Sequence, residues 1–438
     1  MMGKAIHREA KLFHVGFNLD DRVPADHVLR RVDAAVDFSF VRPMVAALYG
    51  YNGHESLDPA LVLRLLFLCF FENVRSEREL MRQLPLRLDW LWFCGLDVDD
   101  PAPDHGVLSK ARRRWGERTF ERVFAHVLGL CRDAGLLEGR TVHADSTLLR
   151  ASASPEGCVS RVLWEQLEAA RAEADAADGR GVAAAPEAAA TGDEAQDRAG
   201  DGDSGNKNQN GGGGANRPKL ADLKVNQRLV SPVDPDAAAT TRRSGGTTLG
   251  YRDHRLVDDR RGVILATVAT PADADDGAML PALLERQRDY TDTTPREVVG
   301  DGMYGTRDNY ATPAKEGVKA YLKKRRGKDS PKASWLELLP ADCSRGRALE
   351  LLGRRKSRAE GSFAEAHVRM NHRRCRWRRR WRVQIQCYLV AAVQNIKRLA
   401  GLGRGRRPSA RAAAPGSLVT KLVTWIGRHH FVSLPTLA

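Results

Sequence analysis

The chain has 438 residues, a formal net charge of +15 and a pI near 9.7. That length supports two or three domains with real cores. The excess of base points to a polyanionic partner such as DNA, RNA or an anionic membrane, and says nothing about fold. Seven scattered cysteines, with no C-x-x-C pair, argue against a zinc knuckle and for a reducing cytosol over secretion.

Residues Met1–Ala10 contain no apolar core with a small-residue cleavage site, so no signal peptide is expected. Residues 1–135 read as an all-α domain. Asp33–Tyr49 has helical apolar spacing and stops at Gly50. Asp58 followed by Pro59 is a strong helix start, and Leu61, Leu65, Leu68 and Cys69 then share a face. The longest apolar run, Leu61–Phe71, is interrupted by Arg64 and is too short to span a bilayer. With no membrane segment expected, nucleic acid becomes the expected partner. Ser76 and Glu79 have capping-box spacing and open a short helix through Leu84. Leu86–Cys94, rich in Trp and Phe, reads as core. After Asp104 comes a basic helix with Lys110, Arg112, Arg113 and Arg114, then a long helix over Arg118–Ala134. Short capped helices followed by a basic one suit a helix-turn-helix-like DNA reader, with Lys110 and Arg113 as DNA contacts. The alternative is a helical domain whose charges are solvated, and periodicity alone does not separate the two.

Thr141–Leu149 is a short apolar, β-leaning stretch with an acid, Asp145, at its centre. A lone buried carboxylate costs several kcal/mol unless it is paired or bound to a cation, so Asp145 demands a partner. His143 shares its face by strand alternation and reads as a satisfied core histidine. Residues 136–167 form the first part of this α/β domain. From 168 to 216 the composition turns to Ala, Gly and acid, with an unbroken glycine run at Gly211–Gly214, and a disordered insert is expected.

Order resumes over 217–403. Gly250–Val257 and Gly262–Ala269 read as a hairpin turning at Asp258–Arg261. Asp275 or Asp276 caps a helix through Gln287. A second apolar run, Glu297–Gly300, ends on Asp301, where following glycines allow a tight turn. A helix over Arg307–Gly317, a strand over Val318–Leu322 and a basic loop from Lys323 come next. The helical stretch Gly353–Arg382 carries twelve Lys or Arg against two acids. Glu360 stands there among Arg354, Arg355, Lys356 and Arg358. Trp377 and Trp381 read as core residues that orient the arginines. Residues 404–438 read as a loose tail, with a short apolar helix expected near Leu418–Ile426. The order of elements suits a mixed sheet with helices on its faces. Two strand acids and one helix acid in a basic chain suit a carboxylate cluster for hard divalent cations facing phosphates.

Three motifs, in this order, resemble the DDE transposases of bacterial insertion sequences. They are His143-Ala144-Asp145-Ser146-Thr147, Gly300-Asp301-Gly302-Met303-Tyr304-Gly305 and Arg358-Ala359-Glu360-Gly361-Ser362-Phe363-Ala364. The stretch Ala391–Leu399 resembles the family's final helix. The resemblance runs from about residue 10 to about residue 400 and implies a ribonuclease-H-like catalytic domain behind a helical N-terminal one. It also implies Asp145, Asp301 and Glu360 as catalytic ligands of Mg²⁺, with Mn²⁺ as a substitute. Phosphodiester transfer of this kind uses two ions roughly 4 Å apart to stabilise the attacking and leaving oxygens. Water attack first frees a 3′-hydroxyl at the transposon end, and that hydroxyl then attacks target DNA. The implied partners are double-stranded DNA at terminal inverted repeats, target DNA and a second copy of the chain. The implied setting is bacterial, cytoplasmic and nucleoid-associated. Lys356, Arg358, His367, Arg369, Arg373 and Arg374 are expected phosphate contacts. His367 is a departure, because the family carries Lys or Arg seven residues after its Glu. Tyr304 either stacks on a displaced base or covers the sheet. Asp253, Asp258 and Glu365 are the acids most easily mistaken for the three. A DNA-binding relic that does not cut, and a nuclease of the same fold, are the competing readings.

Overall fold

Capping side chains set most helix starts in the first third of the computed structural model, which describes residues 1–3, 18–51, 55–177, 224–241, 245–323 and 345–401. Helices α1 (Leu19–Arg22), α2 (Val28–Ala35) and α3 (Val41–Val45) lead into α4 (Pro59–Phe71), where Asp58 accepts from the Ala60 N–H and Pro59 opens the helix. Asp33–Tyr49 is not one helix. The Asp37 carboxylate accepts from the Ser39 N–H and starts a separate 3₁₀ turn at Phe38–Phe40, and Pro43 brings no N–H to the ladder. Helix α4 is buried almost all round, beyond the single face its spacing predicts, and Arg64 turns out to pair with Asp33 at 2.5 Å. Helices α5 (Glu77–Gln83) and α6 (Leu88–Cys94) follow, and α6 buries Trp90, Trp92 and Phe93 as expected. The basic helix and its successor run together as α7 (Gly106–Asp133), broken only at Gly116, whose φ of 68° is left-handed.

The chain then builds a mixed sheet. In order come β1 (Thr141–Arg150), β2 (Val159–Ser160), α8 (Arg161–Ala177), α9 (Val225–Arg228), β3 (Leu229–Val230), β4 (Ala238–Thr241), β5 (Thr247–Asp258), β6 (Ile264–Pro271), α10 (Leu280–Thr291), β7 (Glu297–Gly300), α11 (Arg307–Lys315) and β8 (Lys319–Leu322). Helices α12 (Arg345–Arg355), α13 (Gly361–Arg369) and α14 (Arg380–Leu399) complete it, with a π turn at Lys356–Glu360 between α12 and α13. Strand order is β4-β5-β1-β7-β8, with β6 sharing the outer edge of β5. Strand β5 runs antiparallel to β1, and β7 runs parallel to it. This is the mixed sheet with flanking helices, behind a helical N-terminal region, that the sequence implies.

Helix α8 continues past Glu168 to Ala177, so order outlasts the composition shift. The glycine run, the bases Lys324–Lys328 and the tail beyond 401 lie outside the described residues. Residues Met1–Leu402 form one unit, in which α14 packs against α7, α4 and β6. Among the described residues no helix is long and apolar enough to cross a membrane.

Candidate active site

Strand pairing sets the first two acids side by side. Val142 pairs with Val298 and His143 with Val299 in the parallel ladder, so continuing the register brings Asp301 level with Asp145. The turn after Asp301 is made by the acid itself: the Met303 N–H donates to its Oδ1 at 2.9 Å and the Tyr304 N–H to its carbonyl. Among the described residues Gly302 and Gly305 are not left-handed, so the expected glycine turn is an Asx turn. The glycine that matters is Gly300. A Cβ there would stand 2.9 Å from both Leu322 Cδ2 and Tyr304 Cβ.

The third acid arrives from the side, on the π turn that packs across β1 and β5. Glu360 and Asp145 meet one guanidinium. Arg355 Nη2 lies 2.7 Å from Glu360 Oε1 and Nη1 lies 3.1 Å from Asp145 Oδ2. Burial pushes the Asp145 carboxyl up to about 7. Arg355 and the Ser146 N–H pull the other way, and Asp301 and Glu360 push it further up. One guanidinium therefore bridges Asp145 and Glu360, with Asp301 close enough to act on Asp145, a donor set and charge that fit a hard divalent cation.

A fourth acid, Asp276, stands beside them at 6 % exposure. It accepts from Ser146 Oγ at 2.8 Å and pairs with Arg252 at 3.1 Å. The sequence suggests only a capping role for it, and marks Arg355 only as one of four bases around Glu360. The signal for Arg355 was hidden because residues five apart lie on different faces of an α-helix, and only a π turn aligns them.

Tyr304 is 1 % exposed, so of its two readings it covers the sheet and has no face for a base. Burial holds its hydroxyl well above the usual range, with Asp276, Asp145 and Asp301 adding to the effect. His367 also departs from expectation. Its Nε2 meets Thr147 Oγ1 at 3.2 Å, and burial, with His372 and Arg373, pushes it down to about 4. A neutral imidazole facing β1 is no substitute for a phosphate-binding cation. Lys110, Arg113, Lys356, Arg369, Arg373 and Arg374 are exposed. Arg358 is tied to the β5–β6 hairpin through the Arg260 carbonyl. His143 is the buried histidine expected, but only half satisfied: its Nε2 bonds Asp259 at 2.9 Å while its buried Nδ1 has no partner.

The other acids are engaged elsewhere. Asp258 accepts from the Glu138 and Gly139 N–H groups, and Glu365 pairs with Arg398. Asp253, His372 and Cys387 bring three potential metal ligands within 4.8 Å of one another, a convergence that Asp145, Asp301 and Glu360 do not reach in this structure. That buried group is already engaged in hydrogen bonds. Thr267, Arg255 and His372 all meet the Asp253 carboxylate, and Gln386 meets the other ring nitrogen of His372. Burial opposes ionisation of Asp253, but Arg255 and His372 outweigh it and hold the carboxyl well below its usual range. An adjacent buried guanidinium disfavours a metal there.

Comparison with known families gives two matches. A transposase domain (DUF772) covers residues 17–114, and a transposase DDE domain covers residues 227–396. The chain belongs to the DDE transposase family. No curated protein and no solved structure matches it. The DDE match begins after β1, so within the transposase it spans Asp301 and Glu360 and leaves Asp145 to the sheet register.

Proposed function

We propose that the transposase cuts and joins transposon ends, with Asp145, Asp301 and Glu360 as its catalytic carboxylates. The observation that carries this reading is that one guanidinium bridges Asp145 and Glu360 while strand register brings Asp301 level with Asp145. The three would hold Mg²⁺, or Mn²⁺ in its place, which when bound stabilises charge on the attacking and leaving oxygens of phosphodiester transfer. Asp145, fixed in the central strand, is the rigid member. Asp301 is oriented by its own Asx turn. Glu360, on the surface of the π turn, closes the site against the scissile strand. Lys356, Arg358, Arg369, Arg373 and Arg374 surround that strand and neutralise its phosphates. Lys110 and Arg113 extend the contact along the duplex. Two ends must be joined, so the working form is a dimer.

The test is strand cleavage and joining on a duplex carrying the element's terminal repeat. Asp145→Asn, Asp301→Asn and Glu360→Gln should each lower cleavage by at least about 10³-fold while DNA binding persists. Cutting that survives these substitutions refutes the assignment. Binding with no cutting by the wild type favours a relic, and cutting with no joining favours a nuclease.

A further inference from the structure

Arg355 stands where a cation is needed. Its guanidinium spans Asp145 and Glu360, and its side chain is only 12 % exposed. The contact with Asp145 is an ion pair at 3.1 Å in which Nη1 makes no aligned hydrogen bond, so the arginine is only partly satisfied there. The local backbone creates this contact. The Gly361 N–H reaches back to the Lys356 carbonyl, closing an i→i+5 turn. In an α-helix, positions 355 and 360 would point about 140° apart. In a π turn they stack on one side. The structure thus inserts one residue into a helix, with the result that a base is laid across two acids.

Resting on the reading of the three acids as metal ligands, we propose that Arg355 is the site's resident counter-cation and competes with divalent metal for Asp145 and Glu360. Metal loading displaces the guanidinium, and the free protein therefore binds metal weakly. The same contact keeps the acids gathered while no metal is bound.

The test measures Mn²⁺ binding to the full chain by electron paramagnetic resonance, without DNA. Arg355→Gln and Arg355→Ala should bind about ten-fold more tightly than wild type, the size of one ordinary charge coupling. Lys356→Ala removes a neighbouring exposed charge and should change affinity by less than about two-fold. Equal or weaker binding by Arg355 variants that still melt cooperatively would overturn the proposal, as would an equal gain in Lys356→Ala. Asp145→Asn separates the two readings: if it leaves Mn²⁺ binding intact, the assignment of the acids fails first. A measurement on the wild type covers the case of variants that do not fold. Phenylglyoxal modification of Arg355, followed by peptide mass spectrometry, should quicken several-fold when Mn²⁺ is added. No change in that rate counts against displacement.

Discussion

Asp145 concentrates the energetic cost of the site in one side chain. Its folded pKa of about 7 lies above the roughly 3.9 of an unfolded aspartate. A raised carboxyl pKa contributes stability that is fully present below the unfolded value and is lost as pH rises through the folded one. In chelator, Asp145→Asn should therefore be more stable than wild type, by a margin that widens by about 3 kcal/mol between pH 5 and pH 8 and then levels off. Urea unfolding at those pH values checks this, and a margin independent of pH contradicts it. The need of Asp145 for a partner was legible in the sequence, because an acid in an apolar strand requires one. Its protein partner was not, since Arg355 is aligned by a π turn that leaves no mark on hydrophobic periodicity. Tyr304 could not be decided from sequence either. Its 1 % exposure in the folded chain decides the matter, with Gly300 leaving room for the close approach of Tyr304 and Leu322.

At the scale of elements, α14 does for β6 what a neighbouring strand would do. Asn395 accepts from the Ile264 N–H and donates to the Ile264 carbonyl, both at 2.8 Å. Gln384 accepts from the Ala269 N–H and donates to the Thr267 carbonyl. Two amide side chains thus satisfy the open edge of the sheet, which would otherwise invite pairing with another chain. Asn395→Leu leaves two buried backbone groups without partners and should cost about 2–4 kcal/mol in denaturant unfolding. Faster hydrogen exchange at Ile264 should accompany the loss, and an unchanged midpoint would show that water replaces the amide. The strands and most helix starts were readable because alternation, caps and prolines are local. The polar pair Gln394–Asn395 of α14 was legible only as a resemblance, since its reason lies on a strand about 130 residues away in sequence. Asp33–Tyr49 was misread for the opposite cause: its apolar spacing is helical, but a local Asp37 turn and Pro43 override it.

Across the whole molecule, the charge excess of +15 gathers towards the C-terminal side, where Gly353–Arg382 alone carries twelve Lys or Arg against two acids. Arg113 on α7 lies within electrostatic range of Arg382 on α14 and, with Arg112 and Arg379, depresses its pKa, after burial as the main cause. A patch of like charge held together by folding is destabilising unless a polyanion covers it. Lys110→Ala and Arg113→Ala should each reduce the slope of log affinity against log salt by about one, with no change in sequence preference. Fluorescence anisotropy on two unrelated duplexes measures this, and an unchanged slope removes these residues from the contact. The charge excess and its basic runs were plain from sequence, whereas the approach of the α7 bases to those of α14 depended on packing that no local pattern encodes.

The position of α14 also bears on how the molecule is made. Its amides finish the sheet edge, and its apolar face covers α7, yet it is synthesised after all three acids. A nascent chain that has just passed Glu360 still has an unsealed β6 and a bare helix, so the frame around the acids is incomplete. The frame around the acids thus closes in one step, when α14 docks, and a chain released before α14 holds the three acids without their support.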